Sequence, residues 1–208
     1  MNRLLLIGGA CGCTGFVLGR YQGQIEVLAR KAFPGPKSAP EQHASPSELM
    51  NVACSIARDA GSFAILSTRG AEGVSSRVLL LQSPFGLKNG GDVVKVVFNT
   101  NFLSKKVKQM HKNPNCSLLF FNPKNLEFVA FEGKAERQIE KRSWWREWLG
   151  LYYPEGPDGG RFSVWELKPE KVQLVSAGRG LESARDDWAA PELALNRRTK
   201  LWERVDIT

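Results

Sequence analysis

The apolar residues of this chain fall into short runs whose period changes from one segment to the next. Leu4 to Leu18 is free of charge and bounded by Arg3 and Arg20. It predicts an apolar helix, which Ile25, Val27, Leu28 and Phe33 would prolong. Pro34-Gly35-Pro36 stops that helix, and the Pro-, Ser- and Gln-rich run to Ser45 reads as a linker. Ser45-Pro46-Ser47-Glu48 has the form of a capping box with proline at the first helical position. Leu49, Val52, Ala53, Ile56 and Ala57 then recur at helical spacing, and Gly61 is placed to end the helix. From Phe63 the period shortens. Phe63 to Thr68 and Val74 to Gln82 predict two strands joined by a glycine-bearing turn, Arg69 to Gly73. Ser83 to Asp92 is a loose connection to a third strand, Val93 to Phe98.

Asn99, Thr100 and Asn101 supply turn chemistry, and Ser104 stands where a helix N-cap would stand. In the short helix that follows, Val107 and Met110 share one side while Lys105, Lys106, Lys108 and Lys112 fill the rest. Asn113-Pro114 ends it, because proline has no N–H and biases its predecessor away from αR. Cys116 to Phe121 is a fourth strand, Asn122 to Leu126 a turn, and Glu127 to Arg137 a fifth strand. Arg142 to Leu151 predicts a helix with Trp145 and Trp148 together on a core-facing side. Arg161 to Leu167 and Lys171 to Ser176 read as the last two strands, divided by Lys168-Pro169-Glu170. Beyond Gly178 the chain is polar, with Trp188 and Trp202 as its large anchors, and reads as a tail. Successive strands joined by turns, with few helices, predict a mainly β (α+β) fold: a closed antiparallel barrel rather than a βαβ sheet. Neither a GxGxxG stretch nor a P-loop lysine motif is present.

Composition narrows the partners. The 208 residues suit one domain of roughly 130 to 160 residues with appendages. The net charge of +8 would favour anionic partners. However, Arg3, Arg20, Arg30, Lys31 and Lys37 face only Glu26 in the first forty residues, so half of the excess lies outside the fold. Nucleic acid is therefore not an expected partner. Trp144, Trp145, Trp148 and Trp165 are explained by packing as well as by base stacking. Cys11 and Cys13 are too close for a metal clip of the usual spacing, and Cys54 and Cys116 fall on apolar faces, so no metal site is expected. The apolar segment has two readings. As a membrane helix it offers small faces, Gly8 with Gly12 and Cys11 with Gly15 and Gly19, to a second membrane helix. As a targeting segment it is secretory or, being poor in acids, mitochondrial.

Three stretches carry a family likeness: SSRVLLLQ from Ser75, FNTNFLSKKVKQMHKNPNCSLLFF from Phe98, and FVAFEGKAER from Phe128. They resemble the pyridoxamine 5′-phosphate oxidase-like FMN-binding split barrels, with the order of elements kept from Ser47 to Gly178. The resemblance implies an antiparallel split β-barrel with flanking helices, and a homodimer that binds FMN at its subunit interface. Arg77 is similar to the arginine opening the family's flavin-binding strand, where Val78, Leu79 and Leu80 bring backbone groups beside the isoalloxazine ring. Asn99 and Thr100 match the pair after the third strand. Ser104 stands at the family's spacing, and Lys105 and Lys106 match the two basic residues that hold the phosphate. The chemistry agrees, since a phosphate with nearly two negative charges gains from two cations and a helix N-terminus.

The sequence also departs from the family. Gln82, in the flavin-binding strand, replaces a lysine that serves flavin and substrate in the oxidases themselves. Phe128 stands where a glutamine from across the dimer is frequent, and Val175 near a flavin-contacting tryptophan. After Gly178 there is no arginine-x-histidine motif, and neither Arg179 nor Arg185 restores it, so oxidation of vitamin B6 is not expected. The expected organisation is a hydrophobic segment at 1–33, a linker at 34–45, the barrel at 46–178 and a tail at 179–208. The function expected is FMN-dependent redox chemistry on a small organic substrate, with the flavin carrying the electrons. The alternative is a barrel that has lost FMN and serves as a membrane-tethered structural subunit, meeting membrane-protein partners through its N-terminal helix. A haem-binding barrel would need His43 or His111 as axial ligand.

Overall fold

The computed structural model describes residues 45–81, 94–176, 179, 181 and 190–205. The expected N-terminal helix, the linker, His43 and Gln82 lie outside them. Among the described residues no helix is long and apolar enough to cross a membrane. Helix α1, Pro46–Asp59, begins on the predicted capping box, with the Glu48 amide donating to Ser45 Oγ at 3.3 Å and the Ser45 amide to the Glu48 carboxylate at 2.7 Å. Gly61, at φ +84°, supplies the left-handed residue just past its end.

Eight strands follow: β1 Phe63–Gly70, β2 Gly73–Leu80, β3 Val96–Asn101, β4 Asn115–Asn122, β5 Glu127–Gln138, β6 Phe162–Val175, β7 Glu192–Leu195 and β8 Trp202–Val205. They form one antiparallel sheet in the order β2-β1-β4-β5-β6-β7-β8, with β3 paired to β6. Helix α2, Lys105–Lys112, joins β3 to β4. The architecture is the mainly β, antiparallel one with few helices that the sequence predicts, and it is consistent with a split barrel.

Strand alternation sends Ala64, Leu66, Leu118, Phe120, Val129 and Phe131 inward, where they pack with Leu49, Ala53, Ile56 and Ala57 of α1 in one core. Each such large side chain contributes about 1.5–3 kcal/mol by leaving water. Cys54 and Cys116 are buried, unlinked thiols of that core.

Three expectations are corrected. Arg161 to Ser176, read as two strands, is one long strand, β6. One edge of β6 pairs with β5; the other pairs first with β3 and then, through Lys171–Gln173, with β7. Pro169 sits where that second edge changes partner, so its missing N–H breaks no ladder. Opposite it the register slips between Glu132 and Gly133, and a Cβ on Gly133 would run into the Lys168 carbonyl. The second correction concerns the predicted helix at Arg142 to Leu151, which is two 3₁₀ turns, Arg142–Trp144 and Glu147–Leu151. An extended step at Trp145 and Arg146 separates them and lets Trp144 and Trp145, neighbours in sequence, both pack on a second core of Val97, Leu149, Tyr153, Phe162 and Val164. Trp148 does not share that side and is left exposed. Third, the polar tail is not a tail throughout. Residues 192–205 carry the β7–β8 hairpin, which extends the sheet, and Trp202 packs on the main core.

Candidate functional site

The site is built where α2 lies over the β1–β2 hairpin. In that hairpin Thr68 faces Ser75 and Leu66 faces Arg77, and alternation turns Thr68, Ser75 and Arg77 to the inner side of the sheet. Val78 and Leu80 point the other way and are exposed, while Leu79 is buried. Among the described strands β2 pairs only with β1 and forms an edge of the sheet.

Arg77 is held by neutral acceptors. Its Nη2 donates to Thr68 Oγ1 at 2.9 Å, to Gln109 Oε1 at 3.0 Å and to the Ser75 carbonyl at 3.0 Å. Thr68 Oγ1 donates in turn to Gln109 Oε1 at 2.8 Å, and Gln109 Nε2 reaches Ser75 Oγ at 3.4 Å. Gln109 belongs to α2 and is buried, as are Val107 and Met110. Lys106, one turn earlier, feels the same environment: burial, then the nearby Arg77 charge, lowers its ammonium pKa. Burial likewise lowers that of Arg77. Among the described residues no carboxylate forms an ion pair with either cation. Two desolvated like charges without a counterion are costly, and an anion between them relieves the cost.

Lys105 behaves differently. It is exposed and reaches Glu72 of the β1–β2 turn at 3.3 Å. Ser104 is the N-cap of α2, with ψ 154°, yet its side chain makes no cap hydrogen bond. Its Oγ is buried and has no hydrogen-bond partner among the described residues. A buried hydroxyl without a partner is expensive, which marks it as a group waiting for one. On β3, Thr100 is buried and its carbonyl accepts Ser163 Oγ at 2.8 Å, which also accepts Trp165 Nε1 at 3.2 Å. Asn99 is half-buried on the same strand beside Trp144.

The sequence-predicted residues Arg77 and Lys106 are thus brought into one field, with Ser104 two positions before Lys106. Lys105 is turned to Glu72, and Val78 and Leu80 face away from α2. Thr68, Ser75 and Gln109 were not singled out from the sequence. Helical spacing sets Gln109 off the side shared by Val107 and Met110, so the sequence held no signal for its burial. His111 is exposed and stands edge-on to Trp165 and Phe102, with ring centroids 5.2 and 5.9 Å apart. Among the described residues no cluster of metal-ligating side chains occurs.

Residues 58–176 match the pyridoxamine 5′-phosphate oxidase family. The pyridoxine/pyridoxamine 5′-phosphate oxidase of Burkholderia mallei is 30% identical over 112 residues, which is 54% of this chain and 45% of that protein. The enzyme of the same name from Burkholderia thailandensis gives the same figures. The chain therefore spans about half the length of the curated relatives it matches. Among solved structures, a pyridoxamine 5′-phosphate oxidase-related, FMN-binding protein from Nostoc punctiforme superposes with a TM-score of 0.52 at 14% identity, over 80% of this chain and 100% of that one. PhzG from Burkholderia lata, in complex with tetrahydrophenazine-1-carboxylic acid, gives 0.54 at 18% identity, over 80% and 94%. At those identities the likeness is one of fold. The family match, by contrast, runs from the last turn of α1 through β6 and takes in Arg77, Ser104, Lys106 and Gln109, and on it the chain belongs to the pyridoxamine 5′-phosphate oxidase family.

Proposed function

We propose that this protein binds FMN by its phosphate between Arg77 and the start of α2, and that it is an FMN-dependent oxidoreductase of a small organic substrate. The observation that carries the reading is the buried Ser104 Oγ, without a hydrogen-bond partner among the described residues, on the same helix start as Lys106, which lies near the Arg77 charge and, among the described residues, forms no ion pair with a carboxylate. That donor set fits a phosphate: two cations, a hydroxyl and the N-terminus of a helix. Arg77, Ser104 and Lys106 would hold the group, Lys105 would join them on leaving Glu72, and the backbone edge of β2 would orient the ring. When bound, FMN supplies hydride and single-electron transfer. The chain's own part is to neutralise the phosphate and to fix the ring, so no acid/base triad is required. Phosphorylated vitamin B6 is not the substrate proposed, because the expected arginine-x-histidine grip is missing from the sequence.

The visible spectrum tests the reading. Protein purified in mild detergent, given excess FMN and desalted, is expected to keep flavin absorbance and to bind riboflavin, which lacks the phosphate, at least about tenfold more weakly. A colourless protein that takes up neither compound would overturn the proposal.

We also propose a homodimer, through the outer face of the sheet. That face carries Leu80 opposite Phe63, Ile65 between Val78 and Leu119, and Phe121 opposite Phe128, which faces Val175. Phe63 is 62% exposed, Phe121 49% and Leu80 41%. An apolar array continuous over five strands is more than a lone domain ordinarily leaves in water. A second copy fits it because an isologous contact sets the same flat, apolar surface against itself.

A further inference from the structure

We infer that Gln109 is a positioning residue of the phosphate pocket, and that the position requires a neutral acceptor: its Oε1 fixes Arg77 toward the anion without spending the arginine's charge. The inference rests on the FMN reading and names a residue that reading does not use.

A guanidinium can only donate, so the oxygen of the Gln109 amide must be the atom that faces Arg77. One Oε1 accepts from Arg77 Nη2 at 3.0 Å and from Thr68 Oγ1 at 2.8 Å, and Thr68 Oγ1 itself accepts from the same Nη2 at 2.9 Å. The three groups close a triangle around a single nitrogen. With the Ser75 carbonyl also on Nη2, that nitrogen is occupied, while Nε and Nη1 make no hydrogen bond among the described residues and can meet a ligand. The amide fills the space beside Gly70, where a Cβ would stand 2.7 Å from Gln109 Nε2. Gln109 is 8% exposed, so its side chain is packed on β1 as well as held by its partners.

Glutamate has the same shape and would accept the same two hydrogen bonds. It would also form a desolvated ion pair with Arg77 and cancel the charge offered to the phosphate. The natural residue therefore separates two requirements that an acid would merge, holding the guanidinium still and leaving it cationic.

The test compares the full chain with Gln109→Glu and Gln109→Ala, each titrated with FMN and with riboflavin and melted with and without inorganic phosphate. Gln109→Glu is expected to fold with a melting temperature at or above that of the parent. It should bind FMN roughly tenfold or more weakly, at unchanged riboflavin affinity, and gain no thermal protection from phosphate. Gln109→Ala should fall between the two in FMN affinity, since Arg77 keeps its charge and loses its aim. Equal FMN affinity in parent and Gln109→Glu would overturn the inference, as would equal losses for FMN and riboflavin, the mark of a merely structural role. If the parent takes no flavin yet phosphate protects it and not Gln109→Glu, the flavin reading falls and the role of Gln109 stands. Phosphate protecting parent and variant alike, or neither, would sink the role of Gln109.

Discussion

Lys105 and Lys106 are neighbours with different prospects. Lys106 is half-buried beside Arg77 without an acid, whereas Lys105 is exposed and pairs with the equally exposed Glu72. A desolvated cation is worth more to a phosphate than a solvated one that must first give up a partner. Lys106→Ala is therefore expected to weaken FMN binding by roughly ten- to hundredfold. Lys105→Ala should cost less than about fivefold, and Glu72→Gln should tighten binding about twofold at low salt. Flavin titrations of the three variants check the order, and equal losses for the two lysines would count against the assignment. Reading the sequence named Arg77, Ser104, Lys105 and Lys106 because their spacing resembles a family. It could not rank the lysines, because that depends on Glu72 and on which side of α2 each faces. Gln109 was illegible for a related reason: its partner Thr68 lies forty-one residues earlier, and only the folded hairpin brings them together.

Elements with a local cause were read well, and those decided by distant packing were not. The capping box and Gly61 fix α1 within a few residues, so both ends were legible. The 3₁₀ turns at 142–151 and the unbroken β6 answer to partners elsewhere: the second core in one case, β5 with Gly133 in the other. The segment directly after β6 is held by a polar clasp. Ser176 Oγ donates to Glu127 at 2.5 Å and Arg179 Nε at 3.0 Å, while Arg179 Nη2 reaches Ser55 and Asp59 of α1 at 3.3 and 3.4 Å. Burial raises the pKa of the Glu127 carboxyl, but hydrogen bonds from Ser176, Asn125 and Arg179, with the Arg179 charge, together hold it below the usual range. A carboxylate depressed in the folded state stabilises the fold above its unfolded pKa, and that stability is lost as pH falls through the folded value. Arg179→Ala is expected to cost about 1–3 kcal/mol at pH 7, reduced by the partial exposure of the arginine, and to flatten the loss of stability below about pH 4.5. Urea denaturation of parent and variant at pH 7 and pH 3.5 measures both. A variant as acid-sensitive as its parent would show that the clasp contributes nothing.

At the scale of the whole molecule, the barrel class was legible from the order of short strands and turns, and the outer face was not, because alternation alone does not say which face meets water. The proposed homodimer would form through that face. Phe121→Glu is expected to leave a folded monomer where the parent sediments as a dimer at tens of micromolar, since a charge opposite Phe128 cannot be buried against its own copy. A parent that sediments as a monomer would remove the proposed interface. The sharing of β6 has a further consequence, in the order of synthesis. β1 with β2 and β4 with β5 pair as chain neighbours, and β1 meets β4 once Cys116–Leu119 has been made, but β3 finds its described partner only in β6, with Val96 opposite Leu167. During translation β3, with Asn99 and Thr100 at its far end, stays an unpaired edge until the chain has grown past Phe162, so a nascent protein cut short before that point has its cation pocket's hairpin but not the strand that leads into α2.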